Sequence, residues 1–327
     1  MQNALGSIRK TFSKNNDEAQ PKRLTWELIC KDFKRNKWIY MMALPILGFY
    51  LLFHYAPMYG AQIAFRNFSP VRGITGSPWV GLANFQNFFG GIHAWRVIRN
   101  TFLLSFYSML WGFPAPIIFA LLLNEIASTA YKRVTQTLSY LPHFISLIVV
   151  CALVVTFVSS DGLVNDIVAF FAGEEARQSW LMHPGNFRTI FIASEVWQSI
   201  GFGSIIYLAA ISGLDQETYE AAFIDGASRF RRCLHITLPG IMPTITVLLI
   251  LRMGALMTVG FERVMLLYHP GIYETSDVIS TFVFRRGLLD SDWSFSSAVG
   301  LFNSVINFSI LVTANFFARR MSETSLW

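Results

Sequence analysis

Charge is scarce in this sequence. Asp, Glu, Lys and Arg make up 14% of its 327 residues, against 53% hydrophobic residues. A soluble globular domain carries about 25% charged residues, so that class is excluded and a membrane class is expected. Cysteine is scarce as well: Cys30, Cys151 and Cys233 fall in the N-terminal tail, in an apolar run and in a polar loop. None sits where an oxidising compartment could pair it, and no disulfide framework is expected. No glycine is followed by lysine, so the phosphate loop G-x-x-x-x-G-K-[ST] is missing and ATP binding of that kind is not expected. The six histidines (His54, His93, His143, His183, His235, His269) are scattered and none precedes a glutamate. No metal site, cofactor or catalytic constellation is expected in this chain.

What is abundant is long apolar sequence. Crossing a bilayer core of ~30 Å takes about 20 helical residues. Runs of that length cover 38–58, 101–124, 138–158, 189–212, 241–260 and 298–318, which predicts an all-α membrane domain of six spans over 38–320, a tail over 1–37 and a C-terminus over 321–327. The tail is polar and basic without the apolar core of a signal peptide, so the first run is expected to serve as the insertion signal. All seven lysines lie on the side of the termini, which the positive-inside rule makes cytoplasmic. The connections at 59–100, 159–188 and 261–297 are then outside. The net charge of +6 reflects this topology, and no nucleic-acid partner is expected.

One polar segment interrupts the apolar sequence, "EAAFIDGASRFRRCLHITLP" at 220–239. Asp215 is a good N-cap for a helix with Gln216 and Glu217 in its first turn. Gly226 supplies a corner, and a second, basic helix is expected from 227 to about 235 with Arg229, Arg231 and Arg232 exposed, before Pro239 and Pro243 reset the backbone. Periodicity alone leaves two readings open, a solvated loop and a docking surface. The spacing E-A-A, three residues, G, nine residues, I-x-L-P is matched by Glu220, Ala221, Ala222, Gly226, Ile236, Leu238 and Pro239. It resembles the EAA loop of binding-protein-dependent ABC importer permeases.

That resemblance implies a MetI-like type I permease fold in a bacterial inner membrane. It also implies a loop over 213–240 whose coupling helix docks a cytoplasmic ATPase. Glu220 would make a charge-assisted contact there, Ala221 and Ala222 would permit close approach, and Gly226 would turn the chain, with Asp225, Arg229, Leu238 and Pro239 in the same loop. The implied partners are a second homologous permease, two copies of an ABC ATPase that hold the ATP and Mg, and an extracytoplasmic binding protein. "WVGLANFQNFF", "RNTFLLS", "FPAPIIFALLLNEI", "YLPHFIS", "YETSDVISTFVFRRGL" and "SETSLW" look like the LplB-type oligosaccharide and polysaccharide branch, which is related to the maltose-importer permeases. The likeness covers 34–327.

A lipid-facing charge at mid-membrane costs ~2.5–3.5 kcal/mol on insertion scales, so Arg252 in the fifth run and Glu195 in the fourth are candidates for the substrate path. At ~1.5 Å per residue their depths permit a direct pair. Either they neutralise one another and hold two spans in register, or Arg252 meets an anionic solute. LplB-type sequences mostly carry a small or apolar residue at that position. An acidic sugar, such as a uronate oligomer from alginate or pectin, would account for the departure; a neutral oligosaccharide is the competing substrate. Trp197 and Gln198, with Asn303 and Asn307 in the sixth run, offer the stacking face and amides that sugars use, or pack the helices together. Gly201 and Gly203 read as packing positions, and Pro45, Pro114, Pro116 and Pro142 as kinks. Outside, "RRGLLDSDW" and the Trp79 region are expected to receive the binding protein. An ion-coupled secondary transporter would have to rely on Glu195, the one acid well inside a run.

Overall fold

The computed structural model describes residues 32–321. The basic tail through residue 31, with Cys30, and the closing "SETSLW" lie outside the described residues. Two compact units are distinguished, Met1–Gly60 and Ala61–Trp327.

In the first unit, helix Lys37–Tyr50 runs on through the π turn Leu51–Tyr55. Its entry is tied by Asp32, which accepts hydrogen bonds from the Asn36 amide at 2.7 Å and the Tyr40 hydroxyl at 2.8 Å. Pro45 lies inside the helix and removes one backbone donor from it.

The second unit holds three long apolar helices, Ala94–Asn124, Pro184–Ser212 and Trp293–Phe317. It also holds two bent pairs, Thr129–Phe144 with Leu147–Phe157 at 102° and Arg229–Gly240 with Met242–Gly254 at 59°. With Lys37–Phe65, and with each pair taken as one crossing, six spans result. The architecture is all-α; among the described residues the strand-like pairing is a single bridge between Arg66 and Trp79.

The structure departs from the apolar runs in two places. The third run reads as one span over 138–158, but the chain turns extended at Ile145 and Ser146, and Ser146 caps a new helix by accepting from the Val149 amide. The fifth run reaches to 260 on hydropathy, yet the helix ends at Gly254. Backbone freed by such breaks must find partners away from lipid. Gln198 donates its amide to the Ile145 carbonyl at 3.3 Å, and Asn307 accepts from the Met257 amide at 2.8 Å while donating to the Thr258 hydroxyl at 3.3 Å.

The fourth span is the hub, packed against the second, third and fifth. Close approach depends on Gly201: a Cβ there would lie 2.1 Å from the Ser139 carbonyl oxygen. Phe187 and Phe191 at its beginning are buried with Leu104, Cys151, Val264 and Val278. A second core gathers Phe88, Phe282 and Val299.

Candidate functional site

The polar loop folds as two short helices. The Asp215 carboxylate accepts from the Glu217 amide at 3.0 Å and starts helix Gln216–Ile224. Gly226 then turns the chain with φ +75°, a conformation that disfavours any side chain. The second helix begins at Arg229 and not at 227, because Ser228 takes the capping role and accepts from the Arg231 amide at 3.4 Å. It continues through the π turn Cys233–Thr237 into Leu238–Gly240.

Glu220, Ala221 and Asp225 are exposed and Ala222 is half-buried. Beside them Phe223 and Ile224 are 69% and 84% exposed, an apolar tip flanked by charge. Arg229 and Arg231 are exposed, whereas Arg232 is half-buried with its guanidinium 5.6 Å above the Phe223 ring, a correction to the expectation that all three are exposed. Two contacts seat the loop on the bundle. The Tyr219 and Thr237 hydroxyls lie 2.8 Å apart, and Arg229 donates to the Glu125 carbonyl at 3.2 Å. Leu238 packs with Leu214 against Tyr207 and Ile211, with Pro239 exposed beside it.

Among the spans, Arg252 donates to Glu195 Oε1 at 3.0 Å, and Ser108 donates to Glu195 Oε2 at 2.7 Å. They line a cavity of about 170 Å³ with Ser105 and the irregular segment that follows Gly254. Ser105 Oγ is buried there without a hydrogen-bond partner among the described residues. Near this pair lies Arg263, 8% exposed, which donates to the Ser194 hydroxyl at 3.0 Å and to the Gln198 amide oxygen. Both of these hydrogen bonds are to neutral groups.

The other sequence candidates spread out. Gln198 is engaged at both ends of its amide. Trp197, two residues beyond Glu195 and so on another face of the helix, lines an apolar groove with Leu153, Phe157 and Trp180. Asn307 braces the segment that walls the Arg252 cavity, while Asn303 lies beside Phe261 and Ser280, its side-chain oxygen buried without a partner among the described residues.

Residues 112–323 match the family described as binding-protein-dependent transport system inner membrane component. The chain belongs to that family. The permease is 41% identical to protein LplB of Bacillus subtilis (strain 168) over 90% of this chain and 92% of that one. It is 39% identical to the polygalacturonan/rhamnogalacturonan transport system permease protein YteP of the same organism, over 94% of each chain. It is also similar to a chain in the crystal structure of a bacterial ABC transporter involved in the import of the acidic polysaccharide alginate, with a TM-score of 0.83 and 43% identity over 90% of this chain and 99% of that one. For the alginate transporter in complex with its alginate pentasaccharide-bound periplasmic protein the TM-score is 0.84, at the same identity and coverage.

At the end of the bundle opposite the 213–240 loop, the Trp79 region and the segment around "RRGLLDSDW" come together. The Phe68 amide donates to the Ser294 hydroxyl at 2.8 Å, and Trp79 stacks on Phe65 at 5.5 Å under the Arg66 guanidinium. Next to them Asp277, whose side chain has no exposure, accepts from Arg285 at 2.7 Å and from Arg96 at 3.3 Å. Arg285 also lies 4.5 Å above the Tyr273 ring. Burial pulls its pKa down, but the hydrogen bonds with Asp277 and Tyr268 outweigh that and the net direction is upward. Arg285 falls within "RRGLLDSDW", but Arg96, Asp277, Arg263 and Ser105 were missed by reading the sequence. Arg263 and Asp277 lie in a connection that hydropathy marks as solvated, and Ser105 and Ser108 are too common in spans to stand out.

Proposed function

We propose that this permease forms half of the translocation pathway of an ABC importer for acidic oligosaccharides or polysaccharide fragments, in complex with a second homologous permease, two copies of an ATPase and a solute-binding protein. The observation that carries the acidic substrate is Arg252 itself: its side chain, 46% exposed, faces a cavity in which Glu195 is shared with the Ser108 hydroxyl. A uronate carboxylate arriving at Arg252 would take over the guanidinium, and Glu195 would keep the Ser108 hydrogen bond. YteP carries polygalacturonan/rhamnogalacturonan in its name and the structural neighbour imports acidic alginate; both support this reading. A neutral sugar is the second reading, favoured by the direct 3.0 Å contact that already satisfies Arg252.

In this reading the termini and the loop around Glu220 are cytoplasmic, and the ATP and Mg belong to the ATPase. Glu220, Ala221 and Ala222 seat the helix in the ATPase, Gly226 and Asp225 form its corner, and Arg229, Leu238 and Pro239 hold the loop against the spans. Closure of the ATPases would pull this loop and shift the two spans that carry Glu195 and Arg252.

The test is ATPase stimulation of the reconstituted importer by its binding protein loaded with acidic or neutral oligosaccharides. A charge-assisted hydrogen bond contributes about 1.5–3 kcal/mol, roughly ten- to a hundredfold in apparent affinity. Arg252→Ala is expected to lose that much for acidic sugars alone, and Arg252→Ala/Glu195→Ala is expected not to regain it. Recovery in the double variant, or equal loss for both sugars, would make the pair structural.

A further inference from the structure

Helix Leu163–Ala172 follows the third span after five residues, at the end of the bundle opposite the coupling loop. Its residues divide sharply between two faces. Leu163, Ile167, Phe170 and Phe171, spaced i, i+4, i+7 and i+8, are 55%, 54%, 82% and 82% exposed. On the other face Val164 packs against the core around Phe187, and Asn165 is fully buried.

This helix is held firmly, so the exposed aromatic pair is not an effect of looseness. Asn165 donates to the carbonyls of Ser159 at 2.6 Å and Gln178 at 2.7 Å, and accepts from the Gln178 amide at 3.2 Å and the Trp180 indole at 3.0 Å. Arg177 joins Asp166 at 2.9 Å and Glu174 across the next turn, and its hydrogen bond holds the Glu174 carboxyl below the ordinary carboxylate range. Gly162 packs directly on the end of the third span, where a Cβ would lie 2.3 Å from the Thr156 carbonyl oxygen.

We propose that Leu163–Ala172 is an interfacial helix that lies along the membrane with Leu163, Ile167, Phe170 and Phe171 in the acyl boundary, and that its partner is lipid. The proposal rests on membership of an inner-membrane family and not on the identity of the substrate. Two observations select lipid. The helix follows the third span after five residues, and that span presents an apolar exterior of its own, with Ile148, Val155 and Phe157 67%, 42% and 40% exposed. The face also offers a protein partner no unengaged polar group: its one charge, Asp166, is held by Arg177, whereas protein interfaces carry about one hydrogen bond per 100–200 Å². An amphipathic helix of this kind sits on the order of 5–10 Å into the headgroup–acyl boundary.

The experiment attaches a nitroxide to Leu163→Cys, Ile167→Cys or Phe171→Cys, one at a time, in the assembled importer freed of its other cysteines and reconstituted in phosphatidylethanolamine/phosphatidylglycerol nanodiscs. Glu175→Cys serves as the aqueous control. Relaxation by oxygen and by a water-soluble nickel chelate is compared, and only variants that keep binding-protein-stimulated ATPase activity are read. At least two of the three positions are expected to favour oxygen over nickel several-fold, with the ratio reversed at Glu175. Nickel access like that at Glu175 would overturn the proposal in favour of water. A strongly immobilised label that neither reagent reaches would overturn it in favour of the second permease or the binding protein.

Discussion

Asp277 neutralises two arginines at once. Its buried carboxylate accepts from Arg96, Arg285 and the Thr281 hydroxyl, and its own carbonyl accepts from Asn100. Asn100 in turn accepts from Arg188 at 3.0 Å, so one acid organises the packing of the second span on the connection between the fifth and sixth. The two sides of this arrangement are unequal. Removing one arginine leaves Asp277 paired with the other, whereas removing Asp277 leaves two guanidinium groups partly desolvated with no acid between them. Breaking a buried pair in that way costs about 3–5 kcal/mol. Asp277→Ala is therefore expected to lower the thermal unfolding midpoint of the purified complex severely, and Arg96→Met by a small fraction of that. Equal shifts would mean that the carboxylate serves only one partner.

At the scale of the element, the fourth span shows what sequence conveys and what it hides. Gly201 reads as a packing position, and the structure gives the reason in the Ser139 backbone, which passes where a Cβ would stand. A side chain there cannot be accommodated by a rotamer change, because the obstacle is main chain. Overpacking of this kind typically costs 1–3 kcal/mol or more, so Gly201→Val is expected to separate the third and fourth spans and lower the unfolding midpoint by several degrees. Gly185→Val, whose Cβ would meet nothing within 4 Å, is expected to leave it nearly unchanged. The six spans, the capped loop and the Arg252–Glu195 contact were legible because each follows from a local rule: hydropathy over about 20 residues, side chains that cap helices, and depth along a helix. The breaks at Ile145 and Gly254 were not. They are made tolerable by Gln198 and Asn307, residues distant in sequence whose amides repair the backbone, and no local pattern announces that role. For the same reason Trp197 and Gln198 read alike as sugar ligands, while the helix turns one toward a groove and the other toward Arg263 and Ile145.

In the whole molecule one helix joins the Arg252–Glu195 pair to the 213–240 loop. Glu195 stands 17 residues before Ser212, about 25 Å along the single helix Phe187–Ser212. Asp215 opens helix Gln216–Ile224 directly after it, and Arg252 is carried on the span that follows the loop. Any displacement of the loop must therefore act on the two spans whose side chains meet at 3.0 Å. The Tyr219–Thr237 contact bridges helix Gln216–Ile224 to the foot of the fifth span. Two variants separate docking from transmission. Glu220→Lys reverses an exposed charge on the docking face without touching the bridge. Under the proposed charge-assisted contact of Glu220 with the ATPase, it is expected to abolish transport and the response to loaded binding protein while the protein inserts and folds normally. Tyr219→Phe removes only a hydroxyl, which should leave docking and basal ATP hydrolysis intact while lowering the substrate carried per ATP hydrolysed. Both quantities are read in proteoliposomes by measuring sugar uptake and phosphate release together. Full transport by Glu220→Lys would remove the loop from the coupling path, and an unchanged transport ratio in Tyr219→Phe would place transmission in the fourth span alone.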